Sequence, residues 1–308
     1  MDFCYCDEAF LVALENMVDN ASSEGLHSAK NSLSDRRQAI ARSVIFWLGF
    51  FALFFLTRVV VGMITKNGTS GQWYGAAMMI VLLLLWTGVC VRMEAGLVNP
   101  GTSLTQGSIP RTLLGVTFAV PLCSVSLISL KWLVPGVEFD FKRTDVAPLL
   151  TSALLFLALS TYEEIGFRGY PLVRLLPSFG VWPTLLLIAP VFALYHVAMG
   201  WGLLQAALGT GVGSLLFGMA AIAARRGLAF PIGVHAGWNF TAWCLTSGSG
   251  PWKMAFPSYL SHRVQTVGMI MYVGCMLFGT ILLWLWTKRK ARSSPDDVSR
   301  LGPAGTTF

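Results

Sequence analysis

The stretch STYEEIGFRGY, residues 160–170, puts two adjacent carboxylates and a guanidinium at the end of the uncharged run PLLTSALLFLALS. Glu163 and Glu164 are the only acidic residues between Val146 and Trp252. Ionised groups in a segment apolar enough for a bilayer are costly unless paired, neutralised or wetted, and they usually mark a pathway or a reaction site. Two later segments add polar groups: His196 in VFALYHVAMG, and His235 with Asn239 in GVHAGWNF. For one isolated histidine, an interhelical hydrogen bond that fixes packing is the simpler account. Glu163, Glu164, Arg168, His196, His235 and Asn239 together, on three neighbouring apolar segments, shift the weight toward chemistry.

Helical spacing divides the roles. His235 and Asn239 are i and i+4, so they share one face, as do Phe192 and His196. Glu164 and Arg168 have the same spacing, in the favourable order for an ion pair. Glu163 points about 100° away from that pair, free to face something else. PSFG, residues 177–180, reads as the turn between two apolar helices. Glu163 and His196 stand about equally far from it, so an antiparallel hairpin brings them to one depth. His235 follows the RRG turn at 225–227 by about nine residues and is expected at a similar level.

A carboxylate, two imidazoles and a carboxamide in a partly dry cavity suit hydrolysis. Glu163 can take a proton from water as general base, with His196 orienting that water. His235 and Asn239 can donate to the oxyanion of a tetrahedral intermediate, where one donor is typically worth about 3 kcal/mol. No serine or cysteine stands beside a plausible base, so an activated water is the more economical nucleophile. Glu163, His196 and His235 are also ordinary zinc ligands, and a catalytic zinc needs about three with one position open. HExxH, the strongest sequence argument for such a metal, is absent. The residues alone leave both mechanisms open.

The elements that must position these groups are membrane helices. The chain of 308 residues is 55% hydrophobic and 12% charged. Its apolar residues fall in eight blocks near the length of about 20 residues that spans a bilayer: 44–64, 73–91, 112–134, 147–168, 181–199, 203–224, 228–247 and 264–286. The expected fold is therefore all-α and polytopic, with about eight transmembrane helices. An even number puts both termini on one side. Lys30, Arg36, Arg37, Arg42 and the TKRKAR segment make that side the cytoplasm, because basic residues concentrate there. The net charge of +7 then reflects topology and the anionic inner leaflet, not nucleic acid, for which no motif is present.

Residues 1–43 read as a cytoplasmic segment, with a short amphipathic helix in AFLVALENMVDNA and a linker in SSEGLHSAKNSLSD. Residues 44–287 form the transmembrane domain, and 288–308 a cytoplasmic tail whose end is expected to be disordered. No cleavable signal peptide and no terminal CaaX box are seen. The scattered cysteines read as small apolar residues, and the lone C-x-C at Cys4 and Cys6 is a weak metal signal. EFDFKRTD, residues 138–145, reads as a solvated loop, and Gly209-x-x-x-Gly213 as close helix packing.

EEIGFRG fits an EExxxR pattern, FALYH fits FxxxH and HAGWN fits HxxxN. In this order on successive membrane helices, over roughly residues 145–247, they resemble the CPBP family of intramembrane proteases. That family includes the type II CAAX prenyl endopeptidases and many bacterial relatives. The resemblance implies an endopeptidase with Glu163, His196, His235 and Asn239 at the reaction centre, supported by Glu164, Arg168 and Phe192. It implies a glutamate-activated water and no cofactor, with zinc as the alternative. The implied substrate is a membrane-associated protein, prenylated at a CaaX end in one branch. The implied location is the plasma membrane of a bacterium or the endoplasmic reticulum of a eukaryote. A non-catalytic scaffold or bacteriocin-immunity-type protein is the runner-up. A proton-coupled transporter ranks lower, because no internal repeat is evident.

Overall fold

The computed structural model describes residues 7–65, 69–94, 107–224 and 227–293. Helix α1 (Asp7–Ile64) is followed by α2 (Thr69–Met93), α3 (Ser108–Ile128) and the short α4 (Leu130–Leu133). Strand β1 (Glu138–Phe141) leads into α5 (Val146–Glu164), a wide π-helical turn (Ile165–Gly169) and α6 (Tyr170–Phe179). Then come α7 (Val181–Ala198), the single turn α8 (Leu203–Gln205), a second wide turn (Ala206–Gly211) and α9 (Val212–Ala224). Helix α10 (Ala229–Thr246), strand β2 (Trp252–Ala255) and α11 (Ser261–Ser293) complete the chain.

Among the described residues, seven helical stretches are long and apolar enough to cross a membrane. Their outward side chains, such as Leu48, Leu85 and Leu113, are more than half exposed, as an acyl environment permits and water does not. The chain is an integral membrane protein. The eighth expected block, 228–247, is also helical: it is α10, 18 residues long. Its His235, Asn239 and Pro231 lower its hydropathy below that of the other seven. Half of its residues are buried and none is exposed, with α3, α5 and α9 packed around it, so protein surrounds the least apolar of these helices.

Two expectations are corrected. SSEGLHSAKNSLSD is not a linker, because α1 runs unbroken for 58 residues through it. The segment holds no proline, and its leucine, lysine, glutamate and alanine are good helix formers, so the membrane helix propagates outward. EFDFKRTD is not simply a loop: β1 pairs antiparallel with β2, Glu138 opposite Ala255 and Phe141 opposite Trp252. The ladder satisfies backbone groups at the bundle's edge, where Phe141 and Trp252 meet edge to face at 5.0 Å. Cys4 and Cys6, Arg225 and Arg226, and the tail from residue 294 lie outside the described residues. The described cysteines are all free thiols.

PSFG does make the expected turn. Gly180 stands between α6 and α7 with φ of 73°, a left-handed conformation that a side chain would strain. The Gly209–Gly213 region packs closely too. Tyr272 on α11 donates to the Gly209 carbonyl at 2.8 Å, and a Cβ on Gly213 would meet that hydroxyl.

Helices α3 and α10 pack backbone to backbone, and glycine makes it possible. A Cβ on Gly115 would collide with the backbone of Phe230 and Val234; one on Gly233 would strike the Thr112 carbonyl. A Cβ on Gly237 would lie 2.8 Å from Val116 Cα. Small residues let membrane helices approach backbone to backbone, where van der Waals contact replaces the missing hydrophobic drive. Thr112 adds a hydrogen bond from its hydroxyl to the Ala229 carbonyl, 3.1 Å. His235 follows Gly233 by two residues, about 200° around the helix. The glycine face held against α3 therefore turns the histidine face toward α5.

A second clasp joins α1, the end of α2 and α6. Glu94 is buried, accepts a hydrogen bond from Tyr170, and lies 3.2 Å from Arg42 and 3.4 Å from Arg174. Two cations about one carboxylate hold α6 beside α1, and Arg36 adds a hydrogen bond to the Ser178 carbonyl at 3.2 Å. Replacing Gly233 by valine is expected to force α10 away from α3, at a cost of about 1–3 kcal/mol or more. Thermal unfolding in detergent would read this as a lowered midpoint, with Gly248→Val, where a Cβ meets nothing, as the unaffected control.

Candidate active site

The EEIGFRG segment is where regular helix gives way. α5 ends at Glu164, and Ile165–Gly169 forms the wide turn before Pro171. Proline has no N–H and its ring crowds the carbonyl four residues back, so the ladder cannot continue in α-helical register through Phe167. Wide turns of this kind often accompany functional sites. Gly166 lets the turn press against Phe50 of α1, where a Cβ would stand 2.5 Å from the ring.

Glu164 and Arg168 form the expected pair, Nη1 to Oε1 at 3.2 Å, with both side chains fully buried. The same guanidinium reaches α9, where Nη2 donates to the Ser214 hydroxyl at 2.8 Å and to its carbonyl at 3.1 Å. Phe192 lies beneath it with ring centroid 4.5 Å from Cζ, and Phe217 stands at 5.5 Å. Aromatic faces attract a cation strongly when both are out of water. Phe192, read as a supporting residue, thus touches the guanidinium directly.

His235 lies between the two glutamates. Its Nδ1 is 2.9 Å from Glu164 Oε1, and its Nε2 is 3.6 Å from Glu163 Oε2. An ionised carboxylate only accepts, so Nδ1 carries a proton and donates to Glu164. In the neutral imidazole, Nε2 then presents a lone pair toward Glu163. The ring stacks on Phe217, centroids 4.1 Å apart and planes within 16°, which fixes its orientation. Glu163 Oε2 is buried and has no hydrogen-bond partner among the described residues.

His196 belongs to the same level. Its Nδ1 is 2.9 Å from the Phe192 carbonyl; a carbonyl can only accept, so Nδ1–H donates and Nε2 is left as an acceptor. Tyr162 and Tyr195 immediately precede Glu163 and His196, and their hydroxyls meet at 2.7 Å in the buried core. This bond ties α5 to α7 at the depth anticipated from the hairpin. Asn239 stands one turn beyond His235 on α10, half-buried, with a carboxamide that makes no hydrogen bond among the described residues. The structure therefore gathers Glu163, Glu164, Arg168, Phe192, His196 and His235 into one cluster, with Asn239 on its flank.

Four contributors were not anticipated. Ser214 and Phe217 lay in a span read only for its glycines, and their i, i+3 spacing was a usable signal. Tyr162 and Tyr195 each sit one residue before a titratable group, which was another. Among the described residues, no three His, Cys, Asp or Glu side chains are arranged to hold a metal ion. With both Nδ1 atoms already engaged, the donors left to a metal would be the two Nε2 atoms and Glu163.

Residues 145–241 match the model of the Rce1-like family, described as type II CAAX prenyl endopeptidase Rce1-like. The matched segment begins at the start of α5 and ends beyond Asn239, so it contains every residue of the cluster. Over this segment, less than a third of the chain, the protein is similar to a family of peptidases. No curated protein matches the chain.

Two substitutions separate support from chemistry. Arg168→Met strands Glu164 and Ser214 in a dry interior, and breaking a buried pair costs about 3–5 kcal/mol. Asn239→Ala removes an amide with no partner and should move stability by less than about 0.5 kcal/mol. Thermal unfolding in detergent of the two variants beside the parent protein checks both.

Proposed function

We propose that this chain is an intramembrane endopeptidase in which Glu163 activates water to cleave a peptide bond of a membrane-anchored substrate. The observation that carries the proposal is His235 held between two buried glutamates, one paired with Arg168 and the other with its Oε2 left without a hydrogen bond among the described residues. A buried carboxylate oxygen with no hydrogen bond is costly to keep, and accepting a proton from water is a use that fits its position. The match to a peptidase family over these residues supports the same reading.

In the proposed reaction, the substrate carbonyl lies beside Glu163. A water donates one hydrogen to Glu163 and the other to His196 Nε2, which aims its lone pair at the carbonyl carbon. As oxygen attacks, Glu163 takes the proton, the carbonyl becomes an oxyanion, and the Asn239 amide donates to it. Collapse breaks the carbon–nitrogen bond, and the proton held by Glu163 passes to the leaving amine. His235 occupies a different part in this scheme from the one expected of it. Its neutral Nε2 has no proton to give an oxyanion, so it positions Glu163 and stabilises the carboxyl form during the reaction. Glu164 and Arg168 hold the His235 tautomer that makes this possible.

The family suggests the substrate class: a protein held at the membrane by a prenyl group on a C-terminal CaaX sequence. The depth of the site fits a substrate whose scissile bond lies close to a lipid anchor. Reconstituted protein should cut a farnesylated CaaX peptide more efficiently than its unprenylated counterpart or an unrelated transmembrane peptide. Glu163→Gln should lower the rate at least about a thousandfold, the scale of losing a general base and its pre-organised water, while folding normally. Cleavage that disappears with a strong chelator and returns with zinc would instead assign Glu163, His196 and His235 to a metal. Full cleavage by Glu163→Gln would remove the catalytic assignment, and a folded parent protein that cuts none of the three peptides would favour a scaffold.

A further inference from the structure

Tyr162 and Tyr195 hold a hydrogen that the bond between them does not use. Their hydroxyls are 2.7 Å apart, and the side chains are 5% and 0% exposed. Two hydroxyls carry two hydrogens, and one of these lies between the oxygens. The other sits in an interior where a donor without an acceptor is costly. The charges around the pair decide which hydroxyl keeps it. The Glu163 carboxylate acts on both hydroxyls, and as a hydrogen-bonding neighbour on Tyr162 alone. Arg58, the cation inside the first membrane helix, acts on Tyr195 and not on Tyr162. Its Cζ is 5.8 Å from the Phe54 ring centroid, and that ring stands 5.0 Å from the ring of Tyr195. A guanidinium has no acceptor, so the Tyr195 oxygen turns toward it and the Tyr195 O–H points to Tyr162. The Tyr162 hydrogen is then the one left over, beside the carboxylate.

We propose that Tyr162 and Tyr195 are positioning residues for Glu163. Tyr195 donates to Tyr162, and Tyr162 donates to Glu163 Oε1, so that Oε2 is held toward the water. The assignment rests on the reading of Glu163 as the base of a peptidase. A base works only from a fixed place within hydrogen-bond reach of its proton, and tying one carboxylate oxygen fixes the other. The far end of the chain is rigid: the Tyr195 ring packs against Phe50, Phe54 and Phe167, with centroids at 5.4, 5.0 and 5.7 Å. Hydrogen bonds in series strengthen each other, by about 10–30% per bond. Tyr195 therefore matters to a carboxylate that it does not touch.

The test reads that carboxylate without needing cleavage. Infrared spectra of the full-length protein in lipid vesicles, with those of Glu163→Gln subtracted, isolate the Glu163 band. Tyr162→Phe, measured against its own Glu163→Gln double variant, should shift this band. Tyr195→Phe should shift it less and in the same direction, and it carries the test alone if Tyr162→Phe does not fold. Tyr272→Phe, which removes a hydroxyl bonded instead to the Gly209 carbonyl, should leave the band in place. On a farnesylated CaaX peptide, Tyr162→Phe should lower kcat about tenfold and Tyr195→Phe about threefold with KM unchanged, as for an interaction used in the transition state. A band unmoved in the folded variants would overturn the assignment, and cleavage by the parent protein would leave the peptidase reading standing. A band that moves while kcat stays the same would overturn it as well. A band that moves in a protein that cuts no peptide would support the hydrogen-bonded chain and count against the peptidase.

Discussion

Everything at this site depends on keeping one guanidinium charged in a place without water. Arg168 is 1% exposed, and an isolated ion there would carry a desolvation penalty of several kcal/mol. Its fork is answered on three sides: Glu164 neutralises it, Ser214 accepts two hydrogen bonds, and Phe192 offers a ring face. Each partner comes from a different helix or turn, so satisfying one charge fixes α5, α7 and α9 relative to each other. A lysine could not do this, because an ammonium lacks the planar, divergent donors that reach Glu164 and Ser214 at once.

From that anchor the order passes outward through hydrogen-bond direction. Glu164, held by Arg168, can only accept from His235, which fixes the proton on Nδ1 and turns Nε2 to Glu163. His196 is fixed the same way by a main-chain carbonyl. Both neutral imidazoles then keep Nε2 as an acceptor, and in the proposed reaction Asn239 is the neutral donor on the flank. The α3–α10 glycines do the complementary work on the other side. Without the close approach at Gly115, Gly233 and Gly237, α10 would stand further from α3, and His235 could not keep 2.9 Å to Glu164 while α5 stayed where Arg168 holds it.

Much of this was legible in the residues, for identifiable reasons. Spacing of four along a helix is local geometry, so the Glu164–Arg168 pair and the shared face of His235 and Asn239 could be read directly. The common depth of Glu163 and His196 followed from a single turn at Gly180. The part of His235 could not be read, because it depends on which nitrogen meets which carboxylate, and that is set by packing between helices distant in sequence. The unbroken α1 was missed for a related reason: serine and glycine suggest a linker locally, but a helix already nucleated in the membrane extends through them. The β1–β2 ladder joins segments more than a hundred residues apart, beyond the reach of local pattern. Glu94 was overlooked because its partners Arg42, Tyr170 and Arg174 lie on two other helices.

The division of the two glutamates has a consequence for how the site can work. Adjacent carboxylates repel each other, and a dry setting magnifies that repulsion. Arg168 pairs directly with only one of them, Glu164. Glu163 Oε2 lies 3.6 Å from His235 Nε2, too far for a hydrogen bond but close enough for an electrostatic contact. In the proposed reaction, a water donating to Glu163 Oε2 and to His196 Nε2 supplies the hydrogen bond that this oxygen lacks among the described residues, so its binding and its activation would have the same cause. Had Glu163 Oε2 been paired as Glu164 Oε1 is, the site would be more stable and the proposed water would find no open acceptor there.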